Sequence, residues 1–157
     1  KEINSSGYLC IVITNQPVIA RGEITFEQLN EIHNKLETLL GLEGAYIDGI
    51  YFCPHHPDRG YKGEIPELKF NCDCRKPKPG MLFKAAKDYN IDLTNSYMVG
   101  DGLNDIKAGI SAGCKTILIS EKNCSPHSEN FGQSDNCSSV LEFVKKYINV
   151  KTSINTD

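Results

Sequence analysis

Tyr8-Leu-Cys-Ile-Val-Ile-Thr14 is a nearly unbroken apolar run with β-branched residues at its centre, and it narrows the fold more than any other stretch. A strand with one wet face alternates polar and apolar residues. One that is apolar on both faces belongs inside a parallel sheet covered by helices. Its fully apolar part, Tyr8 to Ile13, is the longest such run in the chain and far too short to cross a bilayer.

The rest of the chain supplies the helices that such a sheet needs. Thr25 with Gln28 three residues later forms a capping box. Phe26, Leu29, Ile32 or His33, Leu36 and Leu40 then recur at helical spacing up to Gly41. Ala45 to Phe52 reads as a second strand, and residues 53 to 80 as a long loop without periodicity, dense in Cys, His, Pro and charge. Loops of that length are uncommon unless a function orders them. Helix resumes after Pro79-Gly80, with Leu82, Ala85, Ala86 and Tyr89 on one face. Ser96–Gly100 and Lys115–Ile119 are expected to be strands, Leu103–Ala112 and Ser138–Ile148 helices, and the polar tail from Lys151 frayed. Alternating strand and helix predicts an α/β fold with a doubly wound parallel sheet, in one domain over residues 1–150. Ligands of such sheets sit at the carboxyl ends of strands. Thr14-Asn15-Gln16, Cys53 and Asp101 all fall there.

Composition bounds the function. With 157 residues, 39% of them apolar, 24% charged and a net charge of −3, the chain carries no basic field for nucleic acid or an anionic membrane. A small phosphorylated ligand held by a few local cations remains open. Seven cysteines is an odd number, and nothing near Lys1 resembles a signal peptide. A reducing, cytoplasmic setting is therefore expected, where clustered cysteines suggest metal rather than disulfides. Cys10 and Cys114 read as small core residues, while Cys124 and Cys137 suggest no role.

The clustered cysteines lie in two short knuckles, Cys53-Pro-His55-His56 and Cys72-Asp-Cys74. Three thiolates and one imidazole make a closed tetrahedral zinc set, structural rather than catalytic. Pro54 favours His55 as the fourth ligand, with His56 the alternative. A metal that fixes Cys74 also fixes Arg75 and Lys76, two cations that could then hold a phosphate with little entropy left to lose.

Gly100-Asp101-Gly102-Leu-Asn-Asp105 turns from a strand into a helix with two carboxylates four apart. Magnesium, which takes one or two carboxylates plus substrate oxygens, suits that turn. Asp105 could add a ligand through water or orient Lys76; ordinary helix capping competes with both readings. Thr14, Asn15 and Gln16 offer a hydroxyl and two amides for phosphoryl oxygens. Arg21 is either a phosphate clamp or a surface residue.

Together, Ile13-Thr-Asn-Gln16, Cys53-Pro-His-His-Pro57, Cys72-Asp-Cys-Arg-Lys-Pro-Lys-Pro-Gly-Met81 and Val99-Gly-Asp-Gly-Leu-Asn-Asp105 resemble the zinc-containing branch of the haloacid dehalogenase (HAD) superfamily. That branch comprises the D-glycero-D-manno-heptose bisphosphate phosphatases and the related histidinol-phosphate phosphatases. The resemblance runs from about Lys1 to about Ser120. It implies that Thr14 binds the transferring phosphoryl group, Lys76 neutralises nucleophile and phosphate, and Asp101 with Asp105 holds Mg2+. It implies substrate contacts for Asn15, Gln16, Arg21 and Arg75, and Zn2+ ligation by Cys53, His55, Cys72 and Cys74. The implied reaction is hydrolysis of a phosphorylated sugar through an aspartyl phosphate.

Two departures qualify that expectation. The family's D-x-D-G-T motif, source of the nucleophile and general acid, does not occur in the 157 residues. The family places the strand bearing it at the sheet centre, between the strands read at 8–14 and 96–100. The chain is thus expected to lack that first central strand, to have its nucleophile upstream of Lys1, and to be inactive alone. Pro17-Val18 also replaces the Ser-Gly pair usual in the heptose enzymes. That variant loop resembles phosphatase domains fused behind a sugar nucleotidyltransferase, so such an upstream domain is a further expectation. A noncatalytic zinc-stabilised phosphate-binding module is the competing reading.

Overall fold

The computed structural model describes residues 1–120 and 130–148. Cys124 and the tail from Lys151 lie outside them. A short helix α1 (Glu2–Ser5) leads into β1 (Ile11–Asn15), α2 (Pro17–Ala20), α3 (Phe26–Leu42) and β2 (Gly49–Cys53). After the long loop come α4 (Gly80–Tyr89), β3 (Tyr97–Gly100), α5 (Leu103–Ala112), β4 (Lys115–Ile119), β5 (Asp135–Cys137) and α6 (Val140–Phe143). The expected parallel α/β architecture is present, with every strand pair parallel.

The strands fall into two groups. β1 pairs with β2, from Ile11 against Gly49 to Asn15 against Cys53. β3, β4 and β5 form a second sheet in that order. Among the described residues no ladder joins the groups, so β1 and β3 each keep one edge without a strand partner. Ile13 of β1 nonetheless packs against the cluster of Leu82, Met98, Ala108 and Ala112, which holds β3, α4 and α5 together.

That open edge explains one difference from the sequence expectation. The β1 residues are half-buried throughout rather than buried on both faces, because a strand inside a sheet needs neighbours on both edges. The pattern of α3 misleads in the same way. Its capping box is present, with Thr25 accepting from the Gln28 amide and the Gln28 side chain from that of Thr25. Of the apolar stripe only Leu29 is fully buried, while Phe26, Ile32 and Leu36 remain exposed.

Other boundaries shift for local reasons. Residues 45–48 are not strand; the Ala45 amide closes the end of α3 on Leu40, and β2 starts at Gly49. β5, unread in the sequence, is too short and polar to show periodicity. It is held by pairing with β4 and by Cys137, which is buried beside Ile117, Phe143, Val144 and Ile148. The last helix starts at its Ser139 cap, but beyond Phe143 it widens into a π-turn over Val144–Ile148. Cys10 and Cys114 are half-buried rather than core, and burial raises both thiol pKa values.

Candidate functional site

Parallel pairing of β1 with β2 sets Asn15 beside Cys53, and the Gln16 amide donates to the Cys53 carbonyl at 2.8 Å. The phosphate-type turn and the first cysteine knuckle thus share one end of one sheet. The loop returns there with Cys72 and Cys74. Its exit is a close backbone approach: the Gly80 amide donates to the Asp73 carbonyl at 3.1 Å. A Cβ on Gly80 would overlap that carbonyl, so glycine is needed there.

The two knuckles converge. Cys53 Sγ lies 3.4 Å from Cys72 Sγ, Cys74 Sγ lies 3.2 Å from each, and His55 Nδ1 is 3.2 Å from Cys74 Sγ and 3.6 Å from Cys53 Sγ. All four ligand atoms lie within 4.8 Å of one another. A zinc ion about 2.3 Å from each sulfur gives tetrahedral S···S edges of about 3.8 Å, so the donor set is already close to that geometry. The four donors differ in how readily they reach the deprotonated form that a metal requires. Burial raises the Cys53 and Cys74 pKa values, while for Cys72 the hydrogen bonds from Cys74 and Cys53 outweigh burial and lower it. Desolvation lowers the His55 pKa, favouring the neutral ring that a metal requires. His56, the alternative ligand, turns away: its Nε2 lies 3.3 Å from Arg21 Nη2 and its Nδ1 3.4 Å from the Asp58 carbonyl.

Beyond Cys74 the chain is pinned at each residue. Arg75 Nη1 donates to the His55 carbonyl at 3.2 Å. The Lys76 amide donates to Asn15 Oδ1 at 3.0 Å, and Asn15 Nδ2 donates to the Lys76 carbonyl at 3.1 Å. The Lys76 ammonium then donates to the Ile13 carbonyl at 2.8 Å and pairs with Asp105 Oδ1 at 2.5 Å, where the side chains are only 12% and 11% exposed. Asp105 sits in the first turn of α5, and its other oxygen accepts from the Gly102 amide at 3.2 Å. Gly100 makes room for it, since a Cβ there would overlap the Asp105 side chain.

Thr14, Asn15, Gln16, Lys76 and Asp105 come together, with Gln16 Nε2 donating to Thr14 Oγ1 at 3.2 Å. That bond occupies the hydroxyl as an acceptor and leaves its proton to donate. Asp101 is exposed at the carboxyl end of β3. It is Asp105, not Asp101, that meets the Lys76 ammonium, which fits the reading of Asp105 as the residue that orients Lys76. Arg21 closes α2 and contacts the long loop, at His56 and over the Tyr61 ring. Neither Tyr61 nor its other cationic neighbour Lys69 carries a sequence signal, because an aperiodic loop gives no clue to which residues fold back on it.

Strand ends that gather a hydroxyl, an amide, a lysine and an acidic turn beside a Cys3His cluster fit an α/β protein of the HAD type. A HAD-hydrolase-like family model matches residues 73–142. The D-glycero-beta-D-manno-heptose-1,7-bisphosphate 7-phosphatase of Yersinia pestis is 42% identical over 119 residues, 76% of this chain and 61% of that protein. Its Escherichia coli K12 counterpart is 40% identical over 132 residues, 83% of this chain and 67% of that protein. The crystal structure of D,D-heptose 1,7-bisphosphate phosphatase from B. bronchiseptica complexed with magnesium and phosphate superposes with a TM-score of 0.77 at 30% identity. That match covers 94% of this chain and 78% of that one. The chain belongs to the HAD superfamily and, within it, to the family of these heptose bisphosphate phosphatases. It spans 61% of the length of the Yersinia relative.

Proposed function

We propose that this chain is the greater part of a phosphatase that removes one phosphate from a bisphosphorylated heptose. The observation that carries the reading is the Lys76 ammonium, fixed between the Ile13 carbonyl and Asp105 and tied through its backbone to Asn15. An ammonium so fixed against the strand that carries Thr14 is preorganised for phosphoryl charge. In this reading Thr14 donates its proton to a phosphoryl oxygen and Lys76 neutralises the charge passing between nucleophile and phosphate. Asn15, Gln16, Arg21 and Arg75 bind and orient the substrate. Asp101, with Asp105 beside it, offers carboxylates for Mg2+, which when bound would screen phosphate charge. Cys53, His55, Cys72 and Cys74 hold Zn2+, whose role is to lock Arg75 and Lys76 in place.

The nucleophile is the remaining element. The 157 residues contain no D-x-D-G-T motif, and among the described residues one edge each of β1 and β3 lacks a strand partner. Both facts support an aspartate carried by a strand between β1 and β3, forming an aspartyl phosphate that water then hydrolyses. The test is phosphate release by the natural polypeptide bearing this chain, with Mg2+, from D-glycero-D-manno-heptose 1,7-bisphosphate and from histidinol phosphate. Faster release from the heptose is expected, and no release from either would refute the proposal. The missing motif specifically favours the rival reading of a noncatalytic phosphate-binding module. That reading predicts phosphate binding without turnover.

A further inference from the structure

Lys76 meets β1 at both of its ends. Its ammonium donates to the Ile13 carbonyl at 2.8 Å. Its backbone is taken by the side chain of Asn15, the last residue of the strand. The Lys76 amide donates to Asn15 Oδ1 at 3.0 Å, and Asn15 Nδ2 donates back to the Lys76 carbonyl at 3.1 Å. Opposed residues of an antiparallel ladder exchange their N–H and C=O groups in the same reciprocal way. The Asn15 amide thus acts as a one-residue strand partner across 61 positions of sequence. Its own main chain is placed by register with Cys53.

This clasp supplies what the metal loop lacks. The Cys3His cluster ends at Cys74, two residues short of Lys76, and each residue adds two soft dihedrals. Arg75 reaches the cluster through its side chain, at the His55 carbonyl. Its own carbonyl closes a local turn with the Lys78 amide at 2.9 Å. Asn15 carries the Lys76 main chain onto β1, so that only the lysine side chain remains to be ordered against Ile13 and Asp105. The Asn15 side chain, for its part, is committed. Following a ligand would break two bonds and unpair both main-chain groups of a half-buried residue. An amide suits this duty because it presents an acceptor and a donor in one plane. A carboxylate only accepts, and leucine does neither.

We propose that Asn15 is a positioning residue: its side chain holds the Lys76 backbone, and through it the ammonium, where phosphoryl charge develops. This rests on the reading of Lys76 as the group that neutralises that charge. Asn15 then orients the reacting phosphate through Lys76, and any bond of its own to a phosphoryl oxygen is left to its main chain. Losing the clasp misplaces a charge that matters most in the transition state, so it lowers kcat more than it raises KM. A side chain that gripped the substrate directly would show the opposite.

Two measurements on the natural polypeptide test this. Hydrogen exchange of the Lys76 amide, followed by NMR, needs no substrate. Asn15→Leu should speed it about tenfold or more, the usual worth of a hydrogen bond, while Asn15→Asp, which keeps the acceptor, should leave it slow. Turnover of heptose 1,7-bisphosphate with magnesium is the second. Asn15→Leu should lower kcat about tenfold or more, as a misplaced group does, with KM within about threefold of wild type. Asn15→Asp should lose less kcat and again keep KM, whereas a carboxylate put against a bound phosphate would raise KM steeply. Thermal melts identify any variant that has merely unfolded. Unchanged Lys76 exchange in Asn15→Leu would overturn the proposal. So would a raised KM with kcat intact in either variant, which would mark Asn15 as a direct substrate contact. Exchange that responds as expected in a protein that releases no phosphate would sink the phosphatase reading and leave the hold of Asn15 on Lys76 standing.

Discussion

Lys76→Met probes the link between the metal loop and the acidic turn. The substitution keeps an unbranched side chain one atom shorter and removes the ammonium, leaving Asp105 without its ion-pair partner at a site about one-tenth exposed. Breaking one side of a buried ion pair costs about 3–5 kcal/mol. Asp105 retains its bond from the Gly102 amide, and the Ile13 carbonyl loses one donor, so we expect the lower end, about 3 kcal/mol. For a domain of this size each kcal/mol lowers the melting temperature by about 2–4 °C, which gives a fall of about 6–12 °C. Urea unfolding of wild type, Lys76→Met, Asp105→Asn and the double variant closes a thermodynamic cycle. The double variant should be more stable than Lys76→Met alone, with a coupling of at least about 1.5 kcal/mol. A single-variant loss below about 1 kcal/mol, or a coupling near zero, would show that the pair is not the strut we describe.

Three further outcomes follow from the same geometry. Cys72→Ser should lower bound zinc from near one equivalent to less than about half, by elemental analysis after gel filtration, and should lower the melting temperature; full zinc occupancy in the variant would contradict the closed Cys3His site. Thr25→Ala removes one half of the α3 capping box and should cost about 1 kcal/mol in urea unfolding, and a neutral result would mean that this exposed helix end frays already. Hydrogen bonds from Lys146 and then Tyr147 hold the Asp135 pKa down at about 2, against 3.8 unperturbed. Its folded-state pKa is thus depressed, so its stabilisation is complete above pH 3.8 and is lost as pH falls through 2. The stability gap between wild type and Asp135→Asn should therefore stay constant from neutral pH to about 4 and shrink below it; a gap that closes at pH 6 would refute the pairing.

Elements with strong local codes were readable from the chain. α5 and β4 fall at their expected limits, Leu103–Ala112 and Lys115–Ile119, because glycines bound the helix and a compact apolar run fills the strand. The capping box announced α3. The cysteine–histidine knuckles were legible because thiol and imidazole spacing is itself the chemistry. β5 was not, since Asp135-Asn-Cys has no periodicity and exists only through pairing with β4. Nor was the exposure of Phe26, Ile32 and Leu36, because a hydrophobic stripe states what a helix can bury and not whether a partner covers it.

The amino-acid order alone determined the parallel α/β class, the Cys3His donor set and the cations that follow it, because these depend on residue type and short spacing. Long-range closure decided the rest. It chose His55 over His56 by turning one ring to the sulfurs and the other to Arg21. It gave the Lys76 ammonium to Asp105, across 29 residues of sequence. It also set Tyr61 and Lys69 around Arg21, residues that lie far apart in the chain and meet only because two glycine backbones, Gly22 and Gly63, can touch.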